Sequence, residues 1–149
     1  MSLDYRRLGS TGTKVSELCF GTWRFGRETD GVVETKKATA HDLLDAFAEA
    51  GGNFIDTANV YGTPSGRSES WIGDWLSERD RSEFVIASKV YFGFDPDNPN
   101  GSGLSRTHIR NQIEGTLDRL GTDYLDLYYI HRWDDETPIE ETLSTLDRL

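Results

Sequence analysis

The sequence predicts an α/β protein of parallel strand–helix units, built as the front of a barrel, and three observations lead there. Short apolar runs at Leu18–Trp23, Phe54–Thr57, Phe84–Val90 and Leu125–Ile130 alternate with stretches of helical period. That rhythm requires a parallel sheet with right-handed helical crossovers. The later runs each stop at a residue that titrates: Asp56, followed by Tyr61 in the next loop, then Lys89 and His131. In a parallel α/β barrel the C-terminal strand ends converge on one face, where the site is built. Asp56, Tyr61, Lys89 and His131 are therefore expected to meet.

The elements follow in order. Tyr5–Leu8 and Lys14–Leu18 flank the turn-rich Gly9-Ser10-Thr11-Gly12 and read as a hairpin. Leu18–Trp23 is the first buried strand, ending in Gly21-Thr22-Trp23. After a polar loop, Thr39 is placed as an N-cap with Asp42 at the third helical position. Leu43, Leu44, Phe47 and Ala48 form the stripe of that helix, and Gly51-Gly52 stop it. Phe54–Thr57 is the second strand. The next helix follows the loop 62–67, with Trp71, Ile72, Trp75 and Leu76 on one face.

Phe84–Val90 is apolar almost throughout, as a strand covered on both sides should be. The thirteen residues Tyr91–Gly103, rich in Gly, Pro, Asn and Asp, are long enough for a functional or mobile loop. Ser105 is the N-cap of the third helix, and Leu104 staples to Ile109. Ile113, Leu117 and Leu120 continue its stripe up to Gly121. After Leu125–Ile130, Thr137-Pro138-Ile139-Glu140 has the form of an N-cap, a first-turn proline and a capping-box acid. Leu143, Leu146 and Leu149 mark a fourth helix, in the middle of which the sequence stops. The whole reads as one domain over 1–149.

The charge balance narrows the partners. With 26 acids against 16 bases the net charge is −10, so nucleic acid and anionic membrane are poor partners. The acids are scattered, as on a solvated surface. Cys19, the one cysteine, sits in the apolar run Leu18–Phe20 and is expected to be a buried, inert thiol. Met1–Gly9 has no apolar stretch behind its arginines, and no window approaches 18 apolar residues. A cytoplasmic protein is expected. His41, His108 and His131 fit no metal site, because the first two fall at helix starts, far from the strand ends.

A lysine closing an apolar strand needs a counter-charge, and Asp56 supplies it. The pair puts a positive charge beside the Tyr61 phenol, tuning it to donate a proton to a carbonyl oxygen as hydride reaches the carbon. His131, as a neutral donor, would orient that carbonyl. The hydride must come from a cofactor. Each residue also has a plain structural reading: a packed tyrosine, a capping aspartate, a hydrogen-bonded histidine.

Gly21-Thr22-Trp23, Asn53–Gly62, Ala87-Ser88-Lys89 and Tyr129-Ile130-His131 closely resemble the aldo-keto reductases, in order and at natural spacings from Tyr5 onward. The resemblance implies a TIM barrel, NADPH or NADH as cofactor, and reversible reduction of aldehydes or ketones. It implies a catalytic tetrad of Asp56, Tyr61, Lys89 and His131, with Gly21, Thr22 and Asp56 near the nicotinamide. Trp23, Tyr91 and Trp133 become substrate-pocket walls.

The family's barrel has eight βα units, whereas four are legible here, so the chain is expected to correspond to the N-terminal half of such a barrel. The residues that hold the adenosine phosphates belong to the other half in that family. No Gly-x-Gly-x-x-Gly or P-loop replaces them. Two functions stay open: a carbonyl reductase, or a catalytically inactive half-barrel that binds a complementary half or a second copy across its open edges.

Overall fold

The computed structural model describes residues 3–95 and 97–149. A hairpin of β1 (Tyr5–Arg7) and β2 (Lys14–Ser16) comes first, with Arg6 opposite Val15. β3 (Phe20–Gly21) leads into a second hairpin, β4 (Glu28–Thr29) and β5 (Val32–Val33). There follow α1 (Lys37–Glu49), β6 (Phe54–Asp56), α2 (Arg67–Leu76), β7 (Val85–Val90), α3 (Arg106–Leu120), β8 (Leu127–Ile130) and α4 (Ile139–Leu146).

β3, β6, β7 and β8 form one parallel sheet in chain order. Gly21 stands opposite Asp56, Asp56 opposite Ala87, Ala87 opposite Leu127, and Lys89 opposite Tyr129. Successive strands pair directly with a helix between them, which is the arrangement of a TIM barrel left partial rather than closed.

One face of the sheet meets the helices. Ile55 and Ile86 are fully buried against Leu44, Ile72, Trp75 and Leu120 from α1, α2 and α3. Val90 packs with Leu104 and Ile109 in a second cluster, which brings together the two residues of the expected staple. Each fully buried aliphatic side chain of this kind contributes about 1.5–3 kcal/mol. Because side chains alternate along a strand, Asp56, Ala87, Lys89 and Tyr129 share the opposite face. That face is open: Tyr129 is 39% exposed.

Several sequence expectations change. Leu18–Trp23 yields only two strand residues, and Leu18 and Cys19 are exposed. Phe20 alone of that run packs under α1, with its ring 5.3 Å from Phe47. The open face explains why Cys19 is not buried.

α1 begins at Lys37, so Thr39 lies within its first turn and is not the cap. Lys36 occupies the cap position without a side-chain bond, and Lys37 Nζ ties the first turn to Asp74 of α2 at 2.6 Å. Leu44 is buried, but Leu43 is exposed, and Ala40 takes its place on the inner stripe. Ser105 does cap α3, accepting from His108 N, and Gly121 closes that helix with φ of 64°.

β8 starts at Leu127; just before it Asp126 donates its N–H to the Ile86 carbonyl at 3.2 Å, while its carboxylate, rather than a backbone carbonyl, accepts from Ile86 N (2.9 Å) and also from Arg81 (2.7 Å). Thr137 does not cap α4. Its hydroxyl donates to Asp134 Oδ2 at 2.7 Å, and Pro138 takes the cap position. Leu143 is exposed, and Leu149 lies beyond the last helical turn.

Candidate active site

The site forms where β6, β7 and β8 end. Lys89, next to last in β7, sends its ammonium across to the neighbouring strand. Nζ donates to Asp56 Oδ2 at 2.7 Å, to the Thr57 carbonyl at 2.7 Å and to Tyr61 Oη at 3.2 Å. An ammonium has three hydrogens and no acceptor capacity, so these three oxygens use it fully. Its side chain is 15% exposed and that of Asp56 26%, which makes the pair far drier than a surface salt bridge. The ammonium also lies 4.8 Å from the Tyr61 ring centre. Since Lys89 occupies a lone pair on Oη, the phenol's own hydrogen is left to point elsewhere.

Local structure fixes Tyr61. Its N–H donates to the Ala58 carbonyl, and its own carbonyl accepts from Ser68 N at the start of α2. His131 follows β8 and is held by its N–H to the Val90 carbonyl at 2.9 Å. The imidazole stands edge-on to Tyr61, with ring centres 5.8 Å apart, and edge-on to Phe92 at 5.3 Å. Burial, then the Lys89 cation, hold its pKa below the ordinary histidine value against the opposing pull of Asp56. The ring is thus a neutral imidazole at neutral pH. Its Nδ1 is buried without a partner.

All four tetrad candidates are therefore together. Of the other expected site residues, Gly21 lies in register with Asp56, and a Cβ built there meets nothing within 4 Å. Thr22 is fully buried and donates through N and Oγ1 to the Asp56 carbonyl, at 3.0 and 2.9 Å. Trp23 is half exposed, with the Arg27 guanidinium 4.0 Å over its ring. Trp133 is 62% exposed. Tyr91 is drawn back against the Val90–Leu104–Ile109 cluster, and Phe92, unremarked in the sequence, is the ring that meets His131.

A polar layer behind the strand ends was also missed. Thr22, Thr57 and Ser68 are linked hydroxyl to hydroxyl, with Ser68 at 2.9 Å from Thr22 and 3.1 Å from Thr57. The fully buried Glu69 accepts from Ser88 Oγ (2.6 Å) and from Arg119 Nε (2.7 Å). The only sequence signal was Ser68-Glu69 at the start of α2, which reads as ordinary first-turn chemistry. Asp134 likewise accepts from Leu104 N and Thr137 Oγ1, both at 2.7 Å, fastening the loop after β8 to the approach of α3.

A parallel sheet in chain order, with an acid, an amine, a phenol and an imidazole gathered at its strand ends, defines the class: a partial βα-barrel with four ionisable side chains on one rim. Comparison with known proteins narrows it. The model of the "Aldo/keto reductase family" matches residues 17–149. A norsolorinic acid reductase of Aspergillus flavus is 40% identical over 99% of this chain and 40% of its own length. An uncharacterized oxidoreductase of Bacillus subtilis is 42% identical over 93% of this chain and 43% of its own. A probable voltage-gated potassium channel subunit beta of Oryza sativa is 40% identical over 97% and 42%. The chain belongs to the aldo/keto reductase family. It spans about two fifths of the length of these relatives.

Proposed function

We propose that this chain carries the proton-handling part of a carbonyl reductase, which reduces an aldehyde or ketone to the alcohol. The observation that supports it most is the Lys89 ammonium held among Asp56, Thr57 and Tyr61 at 2.7, 2.7 and 3.2 Å. Tyr61 is the general acid and gives its phenolic proton to the carbonyl oxygen. Lys89 stabilises the phenolate left behind, and Asp56 holds Lys89 in place. His131, neutral, donates a hydrogen bond that orients the carbonyl. Trp23, Phe92 and Trp133 supply apolar wall.

The residues present fit a nicotinamide at this rim. Gly21 leaves open space beside Asp56, so Gly21 and Asp56 would hold that end of the cofactor, while Thr22, expected there too, is buried behind them and fixes the Asp56 carbonyl instead. A bound NADPH or NADH supplies the hydride for the carbonyl carbon. The test is Tyr61→Phe, assayed in the complete or complemented barrel. Carbonyl reduction should fall by the ~10²–10⁴-fold typical of general acid catalysis, with nucleotide binding near normal. Turnover at the wild-type rate would remove Tyr61 from the role.

The open inner face supports a second reading, in which a complementary half-barrel or a second copy covers it and the chain binds without turnover. Titrating the isolated chain with NADPH tests this second reading. The second reading expects weak binding, and micromolar affinity rejects it.

A further inference from the structure

Asn59 lies between Asp56 and Tyr61 and is fully buried. Its Nδ2 donates to the Phe92 carbonyl and to Gln112 Oε1, both at 2.7 Å. Its Oδ1 is buried without a partner. Both amide hydrogens meet acceptors, so turning the amide over would set oxygen against oxygen. An apolar side chain of the same shape would avoid the cost of the stranded Oδ1. The amide is kept for what its two hydrogens hold.

What they hold leads back to the site. Phe92 sets its ring edge-on to His131 at 5.3 Å and 82°, and His131 stands edge-on to Tyr61 at 5.8 Å and 80°. Tyr61 is two residues from Asn59. The circuit Asn59–Phe92–His131–Tyr61 thus closes on itself, and Gln112 anchors it to α3. We propose that Asn59 is a positioning residue: by pinning the Phe92 carbonyl, it seats the Phe92 ring against His131 and fixes the imidazole beside Tyr61. Its use in catalysis rests on the reading of Tyr61 and His131 given above, but the contact itself does not.

The experiment follows the His131 ring directly, by ¹H–¹³C NMR of its Cε1–H in the 149-residue chain. In Asn59→Leu the His131 signal should move toward the position of a free histidine. Its titration midpoint should rise toward the ordinary value as burial is relieved, with Lys89 and Asp56, the charged groups that act on it, unchanged. His41, held by the Trp71 carbonyl at 2.9 Å, should stay put as the internal control. Gln112→Met removes one acceptor and should give a smaller move in the same direction. Gln112→Glu keeps an acceptor and should restore the wild-type spectrum.

If Asn59→Leu does not fold, the two Gln112 variants decide. An unmoved His131 signal in the folded Leu and Met variants overturns the proposal, as do equal moves in Gln112→Met and Gln112→Glu. Failure of the Tyr61→Phe test would overturn the proposed function and leave this spectral result standing.

Discussion

Arg119→Met is the most exacting test of how the site is supported. Glu69 has no exposed surface, and its carboxylate is met by Arg119 Nε at 2.7 Å and Ser88 Oγ at 2.6 Å. Methionine keeps most of the side-chain volume but strands the carboxylate, and breaking a buried pair from one side costs about 3–5 kcal/mol. Arg119 also lies 4.7 Å over the Phe94 ring, and losing that contact adds about 0.5–1 kcal/mol. At about 2–4 °C per kcal/mol for a chain near this size, the melting temperature should drop by roughly 7–24 °C.

The double variant Glu69→Met/Arg119→Met removes both charges. It should lie within about 2 kcal/mol of wild type, the residue of the loss being the Ser88 hydroxyl left unpaired. Thermal melts by circular dichroism, with urea titration for the free energy, read both. A single variant that loses under about 1 kcal/mol, or a double as damaged as the single, would refute the reasoning. In either case the Glu69 charge would not be what joins α2, β7 and α3 behind Lys89.

Two further predictions test the electrostatics of the rim. Lys89 lowers the His131 pKa and Asp56 raises it, so Lys89→Met should move the imidazole titration up and Asp56→Asn should move it further down. NMR titration of His131 reads the sign, and movement in the same direction in both variants would contradict the arrangement. Partial desolvation of the sulfur by its neighbours, then the charge of Asp56, push the Cys19 thiol up to about 11 against the pull of Lys89. A raised value keeps the thiol protonated at neutral pH, although the residue is exposed. Iodoacetamide labelling should therefore be slow at pH 7.5 and accelerate as pH climbs toward 11. Labelling at the rate of an unperturbed cysteine would show that the thiol does not feel the site.

The parallel order and the four titrating groups were legible because both rest on strong signals, apolar runs of strand length and ionisable residues at their ends. Helix starts were less so. Thr39 and Thr137 have the right side chains for caps, but tertiary partners decide: Lys37 is drawn to Asp74, and Thr137 to Asp134. The hairpin β4–β5 was passed over as polar loop. Yet Asp30-Gly31, with φ of 52° and 76°, is the two-residue turn that an Asp-Gly pair favours, and strands of two residues carry too little period to announce it. Cys19 misled for a different reason. Its neighbours are apolar, but it faces the open side of the sheet, and no local pattern records what covers that side. Asn59 and Glu69 were invisible as buried polar groups because their partners lie at positions 92 and 112, and at 88 and 119.

The geometry of the rim follows from one arrangement of donors and acceptors. Asp56, Thr57 and Tyr61 belong to a single stretch of six residues, and the three hydrogens of one ammonium gather an oxygen from each. Register supplies the rest. Asp56 sits opposite Ala87, so Lys89, two residues farther along β7 and on the same face, overhangs the end of β6 and reaches back over the loop that follows it. A shift of register by one residue would turn Lys89 to the helix side, where Ser88 meets Glu69, and would place the serine at the rim instead. The bond from Ser88 to the buried Glu69 is therefore more than packing. It favours the one register in which the amine faces the phenol, and this ties the stability of the α2–β7–α3 layer to the chemistry proposed for the other side of the sheet.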